Sequence, residues 1–79
     1  AIERLIINNK NELVSGSEDG KIRIWNLETG DCLKILKGHS CFIERLLVNN
    51  KNELVSGSQD GTIKIWNMET GEILKTLQG

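Results

Sequence analysis

Short apolar segments, separated by turns rich in glycine and asparagine, follow one another along the whole chain. In the first half they cover residues 2–7, 13–17, 21–25 and 32–36. Turn signals return every eight to ten residues, before a helix of average length, about 11 residues, could form. Short segments rich in isoleucine, leucine and valine are typical of strands. The pattern therefore predicts an all-β protein.

The second half of the chain repeats the first. A shift of 41 positions aligns residues 1–38 with residues 42–79, and 27 of the 38 aligned residues are identical. A repeat of this period is typical of architectures whose units bury their apolar faces against neighbouring units. We expect two units, residues 1–38 and 39–79, each a four-stranded antiparallel sheet, with residues 39–41 as the loop entering the second. Recent duplication, consensus design and excision from a longer repeat array would each explain the near identity.

Both faces of each predicted sheet are apolar. Ile63 and Ile65 point to one face of their strand, and Trp66 points to the other. Residues 46–48 are Leu-Leu-Val and show no alternation with polar residues. Because a sheet with one face in water would be polar on that face, we expect each sheet to pack between similar sheets.

Charge and cysteine content restrict the possible partners. Ten basic and eleven acidic side chains give a net charge of −1, so the chain lacks the positive field that binds nucleic acids or anionic membranes. No apolar run reaches the roughly 18 residues of a membrane helix, and residues 1–10 lack the pattern of a signal peptide. Cys32 and Cys41 form no disulfide framework. We expect free thiols, a cytoplasmic protein, and neither nucleic acid nor membrane as partner.

Several motifs resemble the WD-repeat β-propeller family, and the resemblance covers the whole chain. In order, they are a Gly-His pair, a serine-containing strand, an Asp-Gly turn and a tryptophan: Gly38-His39, residues 54–58, Asp60-Gly61 and Trp66. Asn26 and Asn67 follow the two tryptophans where the family has aspartate, and Asn-Lys-Asn replaces its usual Pro-Asp-Gly type of turn. The resemblance implies that each unit is one propeller blade.

A buried structural tetrad in the second blade is also implied by the resemblance. Asp60 would hold a ring nitrogen of His39, Ser56 would bridge, and the indole N–H of Trp66 would occupy the serine hydroxyl, so that buried polar atoms are satisfied. Ser58 lies on the same face of the strand and is an alternative to Ser56. In the first blade an incomplete tetrad matches at three positions: Ser15, Asp19 and Trp25.

The combination of serine, histidine and aspartate raises a remote alternative, a serine hydrolase that uses Ser56, His39 and Asp60. A catalytic serine must be exposed beside an oxyanion hole and a cleft, whereas Trp66 would occupy this hydroxyl. His39 is the only histidine of the chain, and a zinc site needs three or four ligands. We therefore expect no enzyme activity, no metal and no cofactor.

Two blades cannot close a propeller, because closure needs about four to eight blades around a central channel. We expect identical chains to join head to tail through a heterologous interface and to close into a ring. Four chains would give the eight blades that we favour, and three chains would give six as the runner-up. Copies of the chain would then be its first partners.

By the same resemblance, the ring would be a non-catalytic scaffold that presents loops to other proteins or peptides. Family members often bind partners near the start of the innermost strand and at the residue before the tetrad aspartate. Here that surface would comprise Phe42, Glu44, Gln59, Ala1, Glu3 and Glu18. Phe42 is the best candidate because an exposed aromatic side chain can anchor an interface, and packing at the chain junction is its alternative role. An engineered or amplified self-assembling propeller without a native ligand is the alternative function.

Overall fold

The computed structural model describes residues 4–78, and every regular element in this part of the chain is a β-strand. The first four strands are β1 (Arg4–Ile7), β2 (Glu12–Gly16), β3 (Ile22–Asn26) and β4 (Cys32–Leu36). The other four are β5 (Ile43–Val48), β6 (Glu53–Ser58), β7 (Thr62–Asn67) and β8 (Ile73–Gln78). Each set forms one antiparallel sheet whose strands follow chain order. The expectation of an all-β chain with two four-stranded antiparallel sheets is confirmed, and we call the sheets blade one and blade two.

Strand boundaries agree with the predicted ones to within one residue from β2 to β4. Residues 2 and 3, the predicted start of the first strand, lie outside the described residues. No helix long and apolar enough to cross a membrane occurs between residues 4 and 78.

Asparagine closes the turn between the first two strands of each blade. Asn11 and Asn52 have φ values of 61° and 59°, in the left-handed region that asparagine tolerates better than most residues. The Asn8 side-chain oxygen accepts the backbone N–H groups of Lys10 and Glu12 at 3.0 and 2.9 Å. A side chain that hydrogen-bonds its own turn in this way replaces the missing Pro-Asp-Gly type of sequence.

The core lies between the two blades. Eight apolar side chains are buried there, four from each blade: Val14, Ile22, Ile24, Leu36, Ile43, Leu54, Trp66 and Met68. Burying one such side chain contributes about 1.5–3 kcal/mol. Most of the stability of each blade therefore depends on the other blade.

Close backbone approach at Gly16 sets the distance between the blades. A Cβ atom on Gly16 would lie 2.6 Å from Cγ2 of Ile43, the first residue of β5. The N–H of Ile43 donates to the Ser17 carbonyl across the same contact at 3.1 Å. Only glycine allows the first strand of blade two to come this close to β2.

Each blade has a second face that no part of residues 4–78 covers. Strand register places Leu5, Leu13, Ser15, Arg23 and Trp25 together on the outer face of blade one. The outer face of blade two carries Leu47, Val55, Ile63, Ile65 and Leu77. Leu5 is 60% exposed and Leu47 is 53% exposed. Each sheet is thus packed on one of the two faces for which the sequence predicts burial.

Candidate functional site

The side chains of the implied tetrad come from four neighbouring parts of blade two. Ser56 lies on β6 and Trp66 on β7, where Trp66 is directly opposite Leu54, two residues before Ser56. This register puts both side chains on the face toward blade one. Asp60 lies in the β6–β7 turn, and His39 lies in the loop that connects β4 with β5.

The structure brings these four side chains into one chain of hydrogen bonds. Nε1 of Trp66 lies 2.8 Å from Oγ of Ser56, and Nε2 of His39 lies 2.7 Å from the same oxygen. Nδ1 of His39 lies 3.3 Å from Oδ2 of Asp60. An indole N–H can only donate, and an ionised carboxylate can only accept. Trp66 therefore donates to Ser56, and Nδ1–H of His39 donates to Asp60; with a neutral His39, Ser56 donates to its Nε2.

Asp60 is held ionised by the turn in which it lies. The hydroxyl of Thr62 donates to it, and so do the backbone N–H groups of Thr62 and Ser40, both at 2.9 Å. These hydrogen bonds, that from the Thr62 hydroxyl first, lower the pKa of Asp60 far below its usual range. A fixed negative charge then faces His39.

Burial acts on His39 in the opposite direction. Its side chain has no exposed surface, and loss of hydration lowers the pKa of the imidazole even though Asp60 opposes this effect. A neutral histidine also fits the hydrogen-bond chain, because its Nε2 can accept from Ser56. The tetrad is therefore satisfied without a buried positive charge.

Ser56 does not have the position of a catalytic nucleophile. It is 0% exposed, and its oxygen already accepts the Trp66 N–H. Ser58, the alternative to Ser56, is not part of the relay, since its hydroxyl contacts the Cys41 and Phe42 carbonyls at 3.1 Å. The contacts of Ser58 instead fasten the entry loop to the end of β6.

Blade one repeats only part of this arrangement. Nε1 of Trp25 donates to Oγ of Ser15 at 3.0 Å, and both residues are half-buried. Asp19 accepts the Ser17 hydroxyl and the Lys21 N–H, and it lies 3.6 Å from the Arg23 guanidinium. The hydrogen bond from Ser17 is the main reason that the pKa of Asp19 is lowered.

Thr62 belongs to the tetrad environment, although the sequence analysis did not single it out. Its hydroxyl contacts both Asp60 and Nδ1 of His39, the latter at 3.1 Å. One signal was available: Thr62 stands two residues after the aspartate, where side chains commonly bond within a turn. The first unit has Lys21 there, one of the eleven differences between the units.

The residues of the candidate interaction surface lie at the edge that carries the entry loop. Phe42 is half-buried, and its carbonyl accepts the Gln59 N–H at 3.1 Å. Glu44, Gln59 and Glu18 are exposed. Ala1 and Glu3 lie outside the described residues. The structure thus brings Phe42 and Gln59 together.

Metal and thiol chemistry have little support in the described part of the chain. Between residues 4 and 78 no group of three or more histidine, cysteine, aspartate or glutamate side chains could hold a metal ion. Cys32 and Cys41 are both exposed and are not joined by a disulfide.

Removing the indole donor tests the relay against its counterpart in blade one. Trp66→Phe would leave the buried Ser56 hydroxyl without its donor and should cost about 1–3 kcal/mol for the lost pairing, in addition to lost packing. At low protein concentration, where the chains are separate, Trp25→Phe should cost less because water can reach Ser15. Urea unfolding of both variants and the wild type measures the difference. Equal losses would contradict a special role for the buried relay.

The pH dependence of folding tests the neutral state of His39. Its pKa is lower in the native protein than in the unfolded chain, where histidine titrates near pH of about 6.5. As the pH falls below that value, the unfolded chain takes up a proton that native His39 resists, so the free energy of unfolding should decrease. The lowered pKa of Asp60 acts only below pH of about 4.

Unfolding curves measured between pH 5 and pH 7.5, in steps of about half a unit, check this expectation. His39→Gln, which removes the only histidine, should be less stable and should lose most of the pH dependence in this range. Wild-type stability that stays constant or rises toward pH 5 would show that His39 is protonated in the fold.

The family model of the WD domain, G-beta repeat (WD40), matches residues 5–26 and 30–67. The chain is similar to nuclear distribution protein PAC1-2 of Uncinocarpus reesii, with 46% identity over 37 residues, 47% of this chain and 8% of that protein. It is also similar to WD repeat-containing protein pop2 of Schizosaccharomyces pombe, with 64% identity over 28 residues, 35% of this chain and 4% of that protein. This chain therefore spans only a small part of the length of these relatives.

Solved structures give the same result over almost the whole chain. The β-propeller domain of Cps50 (Swd1) from Myceliophteria thermophila superimposes with a TM-score of 0.88 and 30% identity, over 95% of this chain and 24% of that one. The WD40 β-propeller domain of Doa1 gives a TM-score of 0.91 and 28% identity, over 96% of this chain and 26% of that one. From its family match, its relatives and its fold, the chain belongs to the WD-repeat family of β-propeller proteins.

Proposed function

We propose that this chain is a non-catalytic WD-repeat scaffold that assembles head to tail with copies of itself into a ring and presents its loops to other proteins or peptides. Relatives in the WD-repeat family support a role in protein–protein interaction. The observation that carries the assembly is a correspondence between exposed and buried faces. The outer face of each blade has nearly the same residues as the inner, buried face of the other blade.

The outer face of blade two repeats the inner face of blade one. Leu47, Val55 and Ile65 are opposite one another in the strand register. Their counterparts 41 positions earlier are Ile6, Val14 and Ile24. Val14 and Ile24 are buried against blade two, and Ile6 packs beside them. Within the chain, the inner face of blade one packs against the inner face of blade two. The outer face of blade two, which resembles the inner face of blade one, should therefore pack against a surface that resembles the inner face of blade two.

Such a surface exists at the other end of the chain. Leu13, Ser15 and Trp25 on the outer face of blade one correspond to three fully buried residues of the inner face of blade two: Leu54, Ser56 and Trp66. A groove of about 400 Å³ lies over Leu13, Ser15 and Trp25. A second copy can thus continue the stack with contacts that the chain already makes within itself.

This arrangement is heterologous, because different surfaces of the two copies meet. Continued addition in one direction closes into a ring when the rotation per chain divides a full turn. Four chains with eight blades are our preferred assembly, and three chains with six blades are the runner-up. Burial of the exposed leucine, isoleucine and valine side chains supplies the driving force.

A scaffold role is favoured over the hydrolase alternative by the burial of Ser56. The hydroxyl that would attack a substrate accepts the Trp66 N–H at 2.8 Å and has no access to solvent. The near balance of acidic and basic side chains favours protein or peptide partners over nucleic acid or membrane. A cytoplasmic location remains part of the proposal.

Native mass tests the assembly directly. Light scattering and native mass spectrometry over a wide range of protein concentration should give a tetramer, and a trimer would shift the ring to six blades. Trp25→Asp places a charge on the outer face of blade one and should shift the chain toward monomer while blade two stays folded. A folded wild-type monomer at every concentration would refute the ring.

Partner binding is expected at the entry-loop edge, where Phe42 and Gln59 meet. Phe42→Ala should reduce retention of any bound protein or peptide at least several-fold, because a half-buried aromatic side chain is a typical anchor. Affinity capture with the wild type, Phe42→Ala and Asn50→Ala measures this. Asn50 is an exposed residue of the β5–β6 turn at the opposite edge and serves as the control. Absence of any specific partner would favour a self-assembling propeller without a native ligand.

A further inference from the structure

One ion pair crosses the contact between the blades within residues 4–78. Nζ of Lys10, in the β1–β2 turn, lies 2.9 Å from Oε2 of Glu69, in the β7–β8 turn. The hydrogen bond and charge of Glu69 raise the pKa of Lys10. Both side chains are largely exposed, so their main effect is on the orientation of the two blades.

The repeat provides the two residues of a second such pair, but it places them in different blades, far from each other along the chain. A shift of 41 positions converts Lys10 into Lys51 and Glu69 into Glu28. Lys51 lies in the β5–β6 turn of blade two and Glu28 in the β3–β4 turn of blade one. In the described part of the chain neither forms a salt bridge. Lys51 therefore borders one outer face and Glu28 borders the other.

An apolar contact between the blades also has counterparts that do not meet within the chain. Leu36 is buried, and its Cδ2 lies 3.4 Å from the position that a Cβ on Gly71 would occupy. The counterparts of these two residues are Leu77 and Gly30. Leu77 is 48% exposed, and nothing lies within 4 Å of a Cβ on Gly30. The outer face of blade two thus has an exposed leucine, Leu77, and blade one has unfilled space beside Gly30.

We propose that Lys51 of one copy pairs with Glu28 of the next, while Leu77 of the first copy packs over Gly30 of the second. These two contacts fix the direction and register of the assembly and rest on the self-association proposed above. A two-fold pairing of like outer faces would instead bring together two faces with Lys51 or two faces with Glu28, so that neither residue would meet this partner. Closed dimers would therefore lack both contacts, and head-to-tail addition is favoured.

Charge reversal tests the pair. Lys51→Glu and Glu28→Lys should each raise the concentration at half-assembly by about three- to tenfold, because each creates a like-charge contact between copies. The double variant restores an opposite pair with reversed polarity and should return to within about twofold of the wild type. In about 1 M salt, where the screening length is short, the differences among the four proteins should largely disappear.

Two further variants separate charge from packing. Lys37→Glu makes the same charge change at an exposed position directly after β4 and should leave assembly unchanged. Leu77→Ala should weaken assembly at least several-fold while the stability of the dilute monomer changes little. Sedimentation velocity measures assembly, and urea unfolding at low protein concentration shows that each variant is folded.

The outcomes distinguish this inference from the proposed function. If the wild type assembles but the double variant is no better than the single variants, the Lys51–Glu28 pair is refuted while the ring stands. If the wild type assembles as a two-fold dimer, the direction of assembly is refuted. If the wild type is monomeric at all concentrations, both proposals fail.

Discussion

Burial of both faces of a four-stranded sheet is the constraint on which this molecule depends. Leucine, isoleucine and valine occupy both faces, so a blade that packs on one side only leaves its other apolar face exposed to water. Within the chain one contact is satisfied, and it contains the buried core from Val14 to Met68. Gly16, the entry loop and the inter-blade hydrogen bond of Ile43 are arranged around that contact.

The tetrad solves a problem that the same contact creates. Tryptophan, serine and histidine bring polar atoms into the interface, and an unpaired polar atom there would oppose folding. A donor that cannot accept begins the relay and an acceptor that cannot donate ends it, so one pattern of protons satisfies every member. The resemblance of these residues to a catalytic triad is therefore one of residue type. Their order of donation and their burial belong to a structural element.

Much of this architecture could be predicted from the sequence. Period, turn residues and apolar segments gave the strands of both blades, since glycine and asparagine turns are local features. The relation between His39 and Asp60, 21 residues apart, came only from family resemblance, because local patterns carry no information about contacts between distant loops. The contact of Thr62 with Asp60, in contrast, is local to one turn and could have been predicted from the sequence. Ser56 and Ser58 point to the same face of β6, so local sequence does not distinguish them; only the contact with Trp66 identifies Ser56 as the tetrad serine.

Contacts between blades of one chain and contacts between blades of different chains should differ in their kinetics, even where equivalent residues meet. The reason is that the loop of residues 37–42 joins only the blades of one chain. Two blades joined by a short peptide meet at an effective concentration of the order of millimolar. Blades on separate chains meet only at the concentration of the protein itself. A ring built from this chain would therefore open between chains before it opened within one, and subunits would exchange as intact pairs of blades. The covalent connection thus defines the exchangeable unit.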